Sequence, residues 1–394
     1  MIRLLATVTA MALIPATAIG ADAASADSIR QWIEDLDDDR FDVREQASEN
    51  LTAAGKEVIA PLQAAALGGS MEAGFRALRI LVRLAEREGP AIGDPAMEAL
   101  KEIAKVPERA AGRRAASIVD GWKKARQAKI YAQIRELGGS ILQQSDGVTM
   151  VKLGSDWKGG HRGVDLVQQL PELRSLSFEQ STLDDDALKR LEGLTNLNRL
   201  YLGESKIQGK KFALLKSLTG LDYLSLKDMK IDDEALEPVG EMTHLAHLGL
   251  DGTPVGDAAM AHVKKLVKLQ RLWLSGTNVT DAGLAQLKDL KELNRLEVPE
   301  TKIDGTGLAH LKDLPKLTYL VLNDVKLSDA GWQALATLAR LETIELKNTS
   351  TTDADLLRLH NFESLKRVYL SGTQVTDEGV AALKKALPRC SVSK

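Results

Sequence analysis

Few residues in this 394-residue chain stand at spacings that could do chemistry, and each such group fails on geometry or composition. His244 and His247 come closest to a metal pair. Read as strand residues three apart, they point to opposite faces and cannot share an ion. Gly203 to Lys211 has the outline of a phosphate-binding loop, but its glycines are one residue too far apart and Lys211 stands where a hydroxyl is required. Gly305-Thr306-Gly307 lacks the third glycine of a dinucleotide fingerprint, and there is neither Gly-x-Ser-x-Gly nor His-Glu-x-x-His. Cys390, the single cysteine, excludes an internal disulfide, a cysteine zinc site and an iron–sulfur cluster. In the polar, basic tail Leu387 to Lys394 it reads as a capping residue rather than a nucleophile. The chain is therefore read as a non-enzyme, with no catalytic residue, no metal ligand and no cofactor.

What does recur is the chemistry of recognition. Two columns of positions, each spaced by 24 residues, hold Tyr223, His247, Arg271, Arg295, Tyr319 and Arg367 in one and Tyr201, Trp273, Glu297 and Tyr369 in the other. The chain has five Trp and five Tyr, and five of those ten fall in these columns. If the columns lie on strands packed by their alternate residues, they face outward. Strand preference accounts for aromatics on strands but not for their facing out. Tyr, Trp and Arg are also the types that dominate binding hot spots. Tyr223, His247, Arg271, Trp273, Arg295 and Tyr319 are read as the anchor, with Glu297 and Glu345 setting the polarity of the partner.

The elements that must hold these columns are visible in the apolar pattern. Aromatics are only 4% of the chain, whereas leucine is one residue in six. The triplet Leu-x-x-Leu-x-Leu, with conservative exchanges, starts at Leu173, Leu197, Leu221, Leu245, Leu269, Leu293, Leu317, Leu341 and Leu365, nine times without an insertion. A looser unit, Val148/Val151/Leu153, precedes it one residue out of step. This pattern resembles the leucine-rich repeat family in its secreted, bacterial-type 24-residue form. The resemblance implies an α/β solenoid: a leucine-rich repeat arc with a parallel β-sheet inside and short helices outside, serving as a binding scaffold.

One repeat shows the physics. Alternation at Leu272 and Leu274 makes a short strand, Val279 turns inward, and Leu284, Leu287 and Leu290 give a helix its buried stripe. Thr277 and its counterparts, Ser181, Ser205, Thr253, Thr301, Thr349 and Thr373, predict a stacked hydroxyl column that satisfies backbone groups in the bend after the strand, interrupted at Met229 and Val325. Asp184, Asp232, Thr280, Asp304, Ser328, Thr352 and Thr376 are N-cap types. The next column, with Asp185, Asp233, Asp257, Asp281, Asp329, Asp353 and Asp377, favours the helix dipole. Stacked carboxylates could also hold calcium, but capping explains each one without an ion. None of these turns can bury its core alone, so both ends need caps.

From Ser25 to Gly138 the apolar residues recur at helical spacing. Gly55, Gly68-Gly69, Gly89-Pro90 and Pro95 punctuate the run. Asp42-Val43-Arg44, Ala47, Leu51 and Gly55, followed by Ile59 and Leu62, resemble a HEAT-like helical repeat, with Gly74 departing from a second unit. The stretch Arg109 to Lys129 carries five further basic residues against Asp120 alone. It reads first as a solvated helix face and second as a weak contact for an anionic surface.

The N-terminus joins Arg3 to an apolar run and a small-x-small site at Ala21 to Ala23, the parts of a secretory signal peptide. The organisation is therefore read as signal peptide 1–23, all-helical HEAT-like domain 24–139, first strand and N-terminal cap 140–172, nine repeats 173–388 and C-terminal cap 389–394. The product is expected to be exported, periplasmic or extracellular, without a membrane span. A net charge of −3 argues against nucleic acid as partner. The leading expectation is a scaffold that recognises a macromolecule, a protein first, on the concave face. The alternatives are an envelope component that self-associates and, behind it, a wall-polymer hydrolase. Thr277 to Leu284 and Thr373 to Val380 also resemble repeats of F-box ubiquitin-ligase adaptors, but no F-box precedes them.

Overall fold

The computed structural model describes residues 24–87, 91–146, 149–170 and 172–394. The signal peptide 1–23, the Gly89-Pro90 stop and Val148 fall outside the described residues. The chain forms two compact units that divide between Gln127 and Ala128.

The first unit is helical: α1 Ala26–Asp35, α2 Phe41–Ala54, α3 Ile59–Gly68, α4 Met71–Ala85, α5 Gly93–Ala104 and the first part of α6 Ala110–Glu136. Ser25 and Ser70 cap α1 and α4 by accepting from the amides of Ser28 and Ala73. Gly55, at φ +79°, ends α2. Leu51, Leu62, Leu81, Leu84 and Leu100 are fully buried and meet Ala111 and Ala115 of α6 in one core. Arg76 of α4 ties α2 to α4 by reaching Glu45 and Glu72, each at 2.6 Å.

The second unit begins inside α6, because Ile130 and Ile134 are buried in the core of the solenoid. Gly138, at φ +86°, turns the chain out of α6; a Cβ there would lie 1.9 Å from the carbonyl oxygen of Asp156. An antiparallel hairpin follows, β1 Ser140–Gln143 against β2 Thr149–Lys152. The sheet then runs parallel through β3 Ser175–Ser177, β4 Arg199–Tyr201, β5 Tyr223–Ser225, β6 His247–Gly249 and β7 Arg271–Trp273. It continues through β8 Arg295–Glu297, β9 Tyr319–Val321, β10 Thr343–Glu345, β11 Arg367–Tyr369 and β12 Ser391–Ser393. All twelve strands are ordered as in sequence. From β3 onward each residue faces its counterpart 24 residues on, as Leu272 faces Leu296, so the columns of the sequence are columns in space. The final strand carries Cys390 at its edge, buried, with its thiol pKa raised by that burial and so held away from the nucleophilic thiolate.

Three local patterns shape and join the coils, and residue types anticipate only the first of them. The hydroxyls of Ser205, Thr253, Thr277, Thr301, Thr349 and Thr373 satisfy backbone groups in the bend after the strand, as their column predicts. Each donates to the carbonyl three residues earlier in its own coil, at 2.6–2.7 Å. A β-branched or short hydroxyl reaches its own strand end more easily than the next coil. The aspartates at the first helical position do more than meet a dipole. Five of the seven accept from a backbone amide of the coil after them: Asp185 from that of Gln208, Asp233 from that of Gly256, Asp257 from the amide and hydroxyl of Thr280, Asp281 from the amides of Asp304 and Gly307, and Asp353 from the amide and hydroxyl of Thr376, while Asp329 and Asp377 meet Arg358 and Lys394 instead. These carboxylates are stitches between turns. A glycine at the third helical position of the following coil makes room for two of them: a Cβ on Gly283 would lie 2.4 Å from Asp257, and one on Gly379 2.0 Å from Asp353. The third pattern is backbone conformation. In the bend after each of nine strands, one residue adopts φ between +53° and +76°: Gln180, Glu204, Asp228, Gly252, Gly276, Glu300, Asp324, Asn348 and Gly372.

Candidate functional site

The two recognition columns lie on β3 to β11, outside the core and over the inward leucines. They do not form one evenly exposed surface. Ser175, Ser177, Ser225, Val321 and Thr343 are buried, being small and overlaid by larger neighbours, while Arg271 and Arg367 are exposed. The aromatic residues, read from sequence as exposed, are half-buried, some against one another and Tyr319 and Tyr369 under Arg295 and Lys347.

Four of them form one continuous patch across β4 to β7. Ring centroids lie 5.0 Å apart for Tyr201 and Tyr223, 5.8 Å for Tyr223 and His247, and 6.3 Å for His247 and Trp273. Trp273 also approaches Tyr223 at 6.0 Å, although β6 lies between their strands. The residues in the Trp273 column on β5 and β6 are Ser225 and Gly249, which leave the indole room to lean over. Burial pushes the Tyr223 hydroxyl pKa up to about 12. Burial, then the nearby Arg271 guanidinium, lowers that of His247, so the patch is uncharged at neutral pH. Arg271 itself has no hydrogen-bond or ion-pair partner among the described residues.

The remaining site residues make a second, internally paired group. Arg295 bonds Glu297 at 2.6 Å and lies over the Tyr319 ring at 3.9 Å. The Tyr319 hydroxyl donates to Glu345, which also accepts from Asn323 at 3.3 Å and Lys347 at 3.0 Å. Burial opposes ionisation of Glu345, but these three donors hold its pKa below the usual carboxylate value. Burial first, and then Glu345, push the Tyr319 hydroxyl up to about 12. Lys347 stands 5.0 Å from the Tyr369 ring, and Arg367 donates to Thr343 at 3.2 Å. Glu297 and Glu345 are thus occupied by their own neighbours, and the free charge on the face belongs to Arg271 and Arg367. On β4, Arg199 reaches Gln144 and Asp146 in the hairpin that caps the sheet.

Asn323 and Lys347 belong to a third column that was missed. They follow the second column by two residues, so extending the strand alternation one step past each triplet would have found them. His244 lies before β6 rather than on it, and the described residues hold no group of three or more His, Cys, Asp or Glu able to bind a metal ion. No described helix is long and apolar enough to cross a membrane.

Residues 363–384, spanning β11 and the helix after it, match the family of the Leucine Rich repeat. The fold is a leucine-rich repeat solenoid. Among solved structures the chain is similar to an internalin (inlF) of Listeria monocytogenes, at 21% identity over 63% of this chain and 87% of that one, with a TM-score of 0.36. It is also similar to internalin C2 of the same organism, at 21% identity over 59% of this chain and 84% of that one, TM-score 0.35. The plant peptide hormone receptor RGFR1, solved in complex with RGF2, matches at 15% identity and TM-score 0.37 over 64% of this chain and 36% of the receptor. No curated protein sequence matches the chain.

Proposed function

We propose that the chain is an exported, non-enzymatic scaffold that recognises a protein on the concave face of its solenoid, with the HEAT-like helical unit as an appended module. The observation that carries this reading is the neutral patch Tyr201–Tyr223–His247–Trp273 beside the unpaired Arg271. Half-buried aromatic rings present rigid apolar area at small entropic cost, and an arginine without a partner is ready to take a carboxylate. Nine strands at about 4.8 Å give a face about 43 Å long; with a width near 15 Å that is about 650 Å², close to the roughly 800 Å² per partner of a standard interface. The paired group around Glu345 is rigid and supports the far end of the face rather than supplying free charge.

The test is affinity capture from the native compartment with the wild-type chain and with Trp273→Ala/Arg271→Ala. A stoichiometric protein partner should bind the double variant roughly 30-fold more weakly, about 2 kcal/mol. The thermal melt should be nearly unchanged. Recovery of the chain alone would favour a self-associating envelope component, and an unchanged partner affinity would move recognition away from this face.

A further inference from the structure

The helical unit carries a surface feature of its own, formed by residues that the concave face does not use. Between α4 and α6 runs an apolar trough of about 550 Å³, lined by Phe75, Leu78, Val82 and Ile118, with Arg79 and Arg114 on its rims. Gly74 of α4 lies against Ala111 of α6, where a Cβ would stand 4.0 Å from the alanine methyl, and the trough opens beyond that close contact. Leu78 is buried at its floor, Val82 and Ile118 are half-buried, and Phe75 is 38% exposed.

The rims identify the occupant. Several cations nearby are held by partners, Arg76 by Glu45 and Glu72, Arg113 by the carbonyls of Pro107 and Glu108, Lys124 by Asp120, whereas Arg83 and Arg109 are exposed like the rim arginines, and Arg79 and Arg83 lie in the field of Glu45 without pairing with it. Arg79 and Arg114 are exposed and have no hydrogen-bond or ion-pair partner among the described residues. A recessed apolar floor between two free guanidinium groups fits an amphipathic helix with flanking carboxylates. A flat bilayer would meet the arginines but not the recessed Leu78 and Ile118. We propose that this trough binds an acidic amphipathic helix of a partner protein, its apolar residues spaced i, i+4, i+7 and its Glu or Asp side chains set against Arg79 and Arg114. From Phe75 to Val82 is about 10 Å of helix, so two to three turns of the partner suffice.

A display library of 14-residue helices, with apolar residues at i, i+4 and i+7 and randomised flanks, would be selected on the full chain. Selected peptides should carry flanking Glu or Asp, lose at least tenfold in affinity on Arg79→Gln/Arg114→Gln and on their own Glu→Gln forms, and bind Trp273→Ala/Arg271→Ala as tightly as wild type. Circular dichroism establishes that the variants remain folded. The proposal is overturned if no peptide is enriched over scrambled sequences, or if binding ignores both arginines. It is also overturned if phosphatidylglycerol vesicles capture the chain through the arginines and selected peptides do not compete.

Discussion

Asp281 and Asp329 each open an Asp-Ala-Gly string at the first position of a helix, and on sequence they are interchangeable. Their surroundings make them unequal. Asp281 accepts from the amide of Asp304 at 2.8 Å and that of Gly307 at 2.6 Å, and Gly307 is buried. Removing the carboxylate leaves a buried amide without water or partner, beside an exposed amide that water can satisfy. The cost of Asp281→Ala should be about 2–3 kcal/mol, the size of a charge-assisted bond plus a stranded donor. Asp329 is 87% exposed and meets Arg358 at 2.9 Å. The amide it would otherwise reach, that of Thr352, is already taken by Asp355 at 2.9 Å. Asp329→Ala should therefore cost about 0.5 kcal/mol or less. Hydrogen exchange is the primary assay, because repeat arrays need not unfold in a single step. In Asp281→Ala the Gly307 amide should exchange roughly 30- to 100-fold faster. In Asp329→Ala no amide should change comparably, and urea titration should rank the two variants in the same order. Equal losses in both variants, or a silent Asp281→Ala, would refute the stitching argument.

The left-handed bend column gives an opposed pair: Glu300→Gly should stabilise by about 0.5–1 kcal/mol, and Gly276→Ala should cost about 1 kcal/mol, both read by denaturant titration. The hydroxyl and amide of Thr376 hold the Asp353 pKa below its ordinary 3.8. A depressed carboxylate contributes stability that is complete above the ordinary value and is lost as pH falls through the folded one. Protection of the Thr376 amide should accordingly persist at pH 5 and fall below about pH 4, and in Asp353→Asn the fall should vanish. The coils from Leu341 and from Leu197 should exchange faster than the coil from Leu269; uniform protection across the three would contradict additive repeat stability.

Spacing made the fold legible because a parallel coil converts sequence period directly into register. Nine triplets at one period dictate nine strands whose leucines stack, and no other topology buries them all. What spacing does not carry is the reach of a side chain. The hydroxyl column and its service to the bend were visible, but not the particular acceptor, which for Thr277 Oγ1 is the Leu274 carbonyl of its own coil at 2.7 Å. The left-handed column was invisible, since only three of its nine members are glycine. The first cap strand β1 was also missed, because Ser140–Gln143 is too short and too polar to show alternation.

The binding face obeys the same division. Which residues share it follows from the period of two along a strand; how they group depends on the small residues between them. Gly249 and Ser225 carry no chemistry, yet their lack of bulk lets Trp273 reach Tyr223 and turns four separate rings into one patch. At β9 and β10 the opposite occurs. Long polar side chains at Glu345, Lys347 and Asn323 find one another and Tyr319, and their charges cancel locally. One end of a single sheet is therefore left neutral and aromatic with a free arginine, and the other is closed by its own salt bridges. A column of residue types predicts a surface, but the residues that are nearly absent from it decide where a partner can gain contact.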